Sequence, residues 1–394
     1  MSRSATPPLL SRALSDQPLP AFLARVGAWL AGLRNRPFKV GNRLVVARHV
    51  DVAAVLSRDL QFLIGPVNAK RIEAVNGGPF VLGMDRCATL VSERAALYRA
   101  LGRFDLGSLH RQIQADADMR IGQAGTEIDV VGAFARPIAA ETASTLFGVR
   151  PADRMLFMDS VRAVFAHTFL NLNDDAAIRE RAEKAGALMQ KWLADEITAR
   201  RGSGEHGTDM MGALLSDSTM DDDCVRRILG GMLVGSIDTT ASSVARIVVM
   251  LGRDRDLAAR VAADVDDPQR LAGWCREILR LWPHNPILLR EVAGPGKLAG
   301  VPVAAGDKVV LWTQAAMLDP AVFPQPRRLD PTRPVDGYLH FGGGLHPCAG
   351  RAVNAIQIPT LVGALVRRGI ASVGKISWAG PFPDRLLLTF DRQP

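Results

Sequence analysis

The stretch Phe341-Gly-Gly-Gly-Leu-His-Pro-Cys-Ala-Gly350 decides how the chain is read, because it sets a cysteine into glycine-rich backbone directly before a helix-like run. Glycines at 342, 343 and 344 let the backbone turn tightly and approach a flat ligand, and Pro347 stiffens the last step before the sulfur. From Ala349 to Arg368 apolar residues recur at helical spacing (Val353, Ile356, Leu361, Leu365). That spacing places Cys348 near a helix N-terminus, where backbone N–H groups favour a thiolate. Pro359 falls inside the pattern and predicts a bend or a break. Taken alone, the sulfur reads as a metal ligand, a nucleophile, or an unpaired buried cysteine beside a glycine turn.

Working outward, the 394 residues are 48% hydrophobic with a mean hydropathy near zero, a globular composition able to enclose a cavity. Such a length suits two or three average domains or one large helical domain. The net charge of +8 implies a basic surface, but the arginines are dispersed as pairs (Arg200-Arg201, Arg226-Arg227, Arg327-Arg328, Arg367-Arg368). Dispersal argues against a nucleic-acid tail and leaves a basic docking face or a merely solvated surface. Four cysteines (Cys87, Cys224, Cys275, Cys348) lie far apart with no CxxC, which fits a reducing compartment. Residues 1–20 lack the apolar core of a signal peptide, and the Phe22 to Leu33 run is short and broken by Arg25, so no membrane span is expected.

In chain order, the pattern predicts a mobile lead over 1–20, a helix over 21–33 and a strand pair from Phe38 to Val46 around Gly41-Asn42. A short helix over 50–56, a loop over 65–85 and a helix over 91–103 follow. Amphipathic helices fill 108–200, and 201–207 reads as a flexible connector. A helix from Cys224 to Leu251, roughly 40 Å at 1.5 Å per residue, is almost wholly apolar until Asp238-Thr239-Thr240 interrupts it. A carboxylate in that setting is costly unless bonded or functional. Glu277 and Arg280 share one helix face. The segment Ile287 to Arg290 reads as extended, 297–303 with 307–312 as a hairpin, and 376–389 as terminal strands.

Phe341, Gly344, His346, Cys348 and Gly350 match all five positions of Phe-x-x-Gly-x-His-x-Cys-x-Gly, and the chain thereby resembles the cytochrome P-450 superfamily. Gly235-Ser-Ile-Asp-Thr239 is similar to that family's Ala-Gly-x-Asp/Glu-Thr segment, where the helix loosens above the iron. Glu277-x-x-Arg280 with Arg333 is similar to its structural triad. The resemblance implies a mainly α, single-domain fold over 21–394 with small β-sheets and a haem-binding core over about 224–370. Haem b (iron protoporphyrin IX) would sit between the Asp238 and Cys348 helices.

By the same resemblance Cys348 is the iron ligand, and His346, Arg290 and Arg94 hold propionates. Phe341, Gly342, Ala349 and Gly350 line the haem. Asp238 and Thr239 deliver protons, and Val234, Gly235, Ile287 and Leu288 border the substrate with the 65–90 loops and the 152–200 helices. Three departures stand out: Leu90 replaces the histidine before Arg94, Ser236 replaces a glycine, and Met317-Leu-Asp319 replaces Asn-Arg-Asp.

The implied function is cytoplasmic haem-thiolate monooxygenation of a hydrophobic small molecule by O2. The Gly-x-Gly-x-x-Gly spacing occurs at Gly202 to Gly207, inside the connector and not between a strand and a helix, so it is no nucleotide fingerprint and electrons are expected from a ferredoxin and its reductase. The alternatives are a peroxide-using peroxygenase or peroxidase, and a haem-binding protein without turnover.

Overall fold

The structure is a computed structural model that describes residues 36–391. The expected lead over 1–20 and helix over 21–33 lie outside the described residues.

Strands Phe38–Val40 and Arg43–Val46 form the expected hairpin. Lys308–Leu311 pairs in parallel with the second of these strands and antiparallel with Leu288–Val292, whose other edge takes Phe62–Leu63. The expected hairpin of 297–303 with 307–312 therefore does not form: Gly296–Leu298 pairs with Val301–Val303 instead. Burial explains the difference, because Val309 and Leu311 alternate onto a buried face with Leu44, Val46, Val52 and Val55. The last two belong to the helix His49–Ser57, which this sheet carries toward the cysteine loop.

Most of the chain is helical around one large core. Its principal members are Leu106–Gln123, Arg136–Phe147, Arg154–Phe165, Ala176–Ser203, Asp222–Val234, Asp238–Arg253, Pro268–Leu281 and Arg351–Arg368. The Asp222–Arg253 stretch is apolar enough to cross a membrane, but 83% of its most apolar window is buried inside the protein, as in a core helix.

Several expectations are corrected. Residues 65–85 are not a loop: Gly65–Asn76 is a helix with Pro66 in its first turn and left-handed Gly77 at its end. Close approach holds it, since a Cβ on Gly186 would lie 2.4 Å from Val75 O. The 201–207 connector is shortened, because the preceding helix runs to Ser203 and Arg200 reaches His206 O (2.7 Å), Asp209 Oδ1 (2.6 Å) and Gly148 O (3.0 Å).

The long apolar helix is two helices, Asp222–Val234 and Asp238–Arg253. At the break, hydroxyls take main-chain carbonyls: Ser236 Oγ donates to Leu233 O (2.7 Å) and Thr239 Oγ1 to Gly235 O (2.5 Å). Pro359 does not break its helix, which is continuous from Arg351 to Arg368. The carbonyl it deprives of a partner belongs to exposed Ala355.

The paired arginines do not form one free basic face. Arg200 pairs with Asp209, Arg201 with Asp222, Arg226 with Asp223, Arg227 with Glu93 and Arg367 with Asp266, all within the fold. Arg327 and Arg328 remain exposed.

Candidate active site

The cysteine loop is closed by its own backbone, with Cys348 N donating to Phe341 O (2.9 Å) and Gly342 N to Leu339 O (2.9 Å). Gly344 has φ +67°, and a Cβ there would fall 1.7 Å from Leu56 O, so the loop sits directly on the end of the His49–Ser57 helix. Cys348 is solvent-accessible, although burial dominates its electrostatics. Burial pushes the thiol pKa up, while the Gly350 backbone and the Arg351 guanidinium pull it down. Ala349 packs onto the main core, and Leu288 Cδ1 lies 3.9 Å from the position a Cβ on Gly342 would take.

Arg290 and Arg94 both act on His346. Burial, then Arg290, pushes the His346 pKa down to about 4, with Arg94 adding to the effect. Arg290 is itself brought down to about 10 by burial. Among the described residues neither arginine has a carboxylate within ion-pair distance, and Arg94 Nε and His346 Nδ1 are buried without a partner. Asp85 acts on Arg290 from a distance but pairs with neither arginine, and a half-buried and a buried guanidinium without a carboxylate in contact, beside orphaned donors, suit an anionic ligand such as the two carboxylates of a haem. Among the described residues no group of three or more His, Cys, Asp or Glu could hold a metal ion. Leu90, where the resemblance expects histidine, is buried in the core.

On the opposite helix Asp238 is 3% exposed at the first turn after the break. Its Oδ1 accepts from Arg162 Nε (2.9 Å) and lies 2.7 Å from Arg162 Nη2, while Arg136 Nε sits at ion-pair distance, 3.0 Å, without the alignment of a hydrogen bond. Its Oδ2 is buried with no partner. Each arginine has a second, half-exposed aspartate, Asp384 for Arg162 (2.7 Å) and Asp159 for Arg136 (3.2 Å). The side-chain hydroxyl of Thr239 is accessible beside the break, next to exposed Gly235 and buried Val234.

Sequence reasoning missed Arg136, Arg162 and Asp384. The signal available was the buried carboxylate itself, which requires a cation, although nothing in spacing names which one. It also missed an aromatic wall of Phe165, Phe169, His284 and Phe382, whose ring centroids lie 4.8–5.8 Å apart. Arg246 donates to Ser242 Oγ, and His284 Nδ1 lies 2.8 Å from the same hydroxyl.

Behind the cysteine loop, Glu277 and Arg280 are fully buried and bidentate (2.7 and 3.0 Å), and Arg333 Nε lies 3.2 Å from Glu277 Oε2. Tyr338 OH and Asp330 N also donate to Glu277, and Arg280 reaches the carbonyls of Met317, Pro326 and Arg328.

Comparison with known proteins bears on all of this. The Cytochrome P450 family profile matches residues 152–368. Nocardicin C N-oxygenase of Nocardia uniformis subsp. tsuyamanensis is 30% identical over 340 residues, 82% of this chain and 81% of that protein. Mycinamicin IV hydroxylase/epoxidase of Micromonospora griseorubida is 28% identical over 342 residues, again 82% and 81%. Among solved structures, CalO2 superposes with a TM-score of 0.81 at 21% identity, covering 98% of this chain and 99% of that one. Agreement of this extent in sequence and in fold settles the assignment: the chain belongs to the cytochrome P450 family and is a haem-dependent oxidoreductase of the monooxygenase kind.

Proposed function

We propose that the protein inserts one oxygen atom of O2 into a hydrophobic small molecule, with haem b held by Cys348 and electrons supplied by a ferredoxin and its reductase. The observation that carries this reading is Asp238, whose Oδ1 faces two arginines while its buried Oδ2 has no partner among the described residues, one position before Thr239 at the helix break.

Haem bound through a cysteine thiolate supplies oxygen activation, the thiolate favouring O–O cleavage. The remaining work falls to the chain. Arg94, Arg290 and His346 would hold the propionates and fix the ring over Cys348, with Phe341, Gly342, Ala349 and Gly350 against its face. Arg136 and Arg162 keep the Asp238 carboxylate in place, so that its unpartnered Oδ2 is available to relay a proton toward the accessible Thr239 hydroxyl. The Glu277, Arg280 and Arg333 cluster holds the loop rigid behind the sulfur.

Val234, Gly235, Ile287 and Leu288, with the wall of Phe165, Phe169 and Phe382, favour an apolar substrate and exclude water around it. Exposed Arg327, Arg328 and Arg351, the last directly after the cysteine loop, suit an acidic ferredoxin. Four unpaired cysteines accord with a reducing, cytoplasmic setting.

The test is the absorption spectrum of the reduced protein under carbon monoxide, for the native chain and Cys348→Ala. A strongly red-shifted main band that the variant loses is expected, followed by substrate oxidation with ferredoxin and its reductase and without added peroxide. A histidine-like band, or turnover only with peroxide, would overturn the proposal.

A further inference from the structure

We infer that Asn354 is a positioning residue that ties the cysteine loop to the break in the oxygen-side helix, an inference that rests on the monooxygenase reading above. Asn354 lies in the first turn of the Arg351–Arg368 helix. Its backbone N donates to Gly350 O (2.9 Å), and the Gly350 backbone bonds to the Cys348 sulfur. Its side chain crosses to the other helix, where Asn354 Oδ1 lies 3.0 Å from Thr240 Oγ1. Thr240 is 1% exposed, and its hydroxyl also lies 3.2 Å from Ser236 O, inside the break.

One hydroxyl proton cannot serve two acceptors. Rotating the amide, which exchanges Oδ1 and Nδ2, lets Asn354 donate to Thr240 Oγ1 and Thr240 donate to Ser236 O, so that both bonds form. The adjoining carbonyl, Gly235 O, is the one that accepts from Thr239. A continuous set of bonds thus runs from the loop that carries the sulfur, through Asn354 and Thr240, to Ser236 O, the carbonyl next to the one that holds the Thr239 hydroxyl.

Proton delivery tolerates little displacement of its donors, so a tie of this kind sets how well Thr239 is aimed. Asparagine is also a poorer helix former than alanine, and its presence in this turn is accounted for by the side-chain bond it makes.

The test is a double-mutant cycle on the haem-loaded protein with Asn354→Ala, Thr240→Val and both together, and Thr240→Ser as the variant that keeps the hydroxyl. Three quantities are read: the carbon monoxide band, hydrogen exchange of the amides over 235–240, and peroxide released per electron consumed. The expected result is an unchanged band, with exchange over 235–240 rising about five- to tenfold in either single variant, the worth of one net hydrogen bond. Peroxide release should rise in parallel. The double variant should be no worse than either single, and Thr240→Ser should behave as native.

Additive effects with the band intact would overturn the tie. So would exchange that rises equally over 277–280, because the change would then be global. Should Asn354→Ala fail to fold, the contrast between Thr240→Val and Thr240→Ser decides alone. A native chain without the red-shifted band would remove the monooxygenase reading and this inference with it.

Discussion

Two buried carboxylates, Glu277 and Asp238, are each held by a pair of arginines, and they are built to opposite ends. Both Glu277 oxygens are used, by Arg280, Arg333, Tyr338 and the Asp330 amide. Asp238 has all its cations on one oxygen and leaves the other bare. Arg280 is wholly enclosed and has no second carboxylate among the described residues, whereas Arg136 and Arg162 each lean on a half-exposed aspartate. A saturated network is rigid and expensive to disturb, while an unsaturated one keeps a group in reserve for chemistry. The first sits behind the sulfur where nothing should move, and the second beside the helix break where protons must.

Removing the saturated carboxylate should give the largest effect. Glu277→Ala strands two buried guanidiniums, and a loss of about 3–5 kcal/mol in stability is expected, measured by denaturant unfolding and accompanied by poor haem retention. A variant within about 1 kcal/mol of native would erase the contrast.

Next in size is Asp238→Asn. Because Arg136 and Arg162 keep their second partners, unfolding should shift by only about 1 kcal/mol, while turnover falls about 10²-fold or more through loss of the proton-accepting oxygen. If stability and turnover fell together, Asp238 would belong with Glu277 as a structural group.

The smallest effect is on acid stability. Burial works against the Glu277 carboxylate, but Arg280 and the other donors outweigh it and hold the pKa below its ordinary value of 4.5. Its contribution is therefore complete above that value and is lost as pH falls through the lower, folded one. Unfolding followed from neutral pH downward should fall steeply in this acid range for the native chain and less steeply for Glu277→Gln. Parallel curves would mean that Glu277 gains nothing from its partners.

How far the sequence could be read follows the same division between local and distant causes. The cysteine loop, Asp238-Thr239 and Glu277-x-x-Arg280 are legible because their chemistry lies in residue types at fixed, short offsets. Arg136 and Arg162 are not, since nothing local says which helix face meets Asp238. The Gly65–Asn76 helix was hidden because Gly65-Pro66 and Gly77-Gly78 read as loop residues, although proline in a first turn and glycine past a last turn also delimit a helix. Lys308–Leu311 reads as half of a hairpin with 297–303, but it pairs with Leu288–Val292 and, from the far end of the chain, with Arg43–Val46, which no local pattern announces.

That distance has a consequence for biosynthesis. His49 Nε2 lies 2.9 Å from Gly337 O across 288 residues, and Leu56 supplies the surface on which Gly344 is seated. Contacts of such separation form late, after loop-closure entropy has been overcome. The iron-binding loop therefore cannot reach its final shape on the ribosome until nearly the whole chain has emerged, and cofactor loading becomes a closing step of maturation, which makes the apo chain the species exposed to chaperones and proteases.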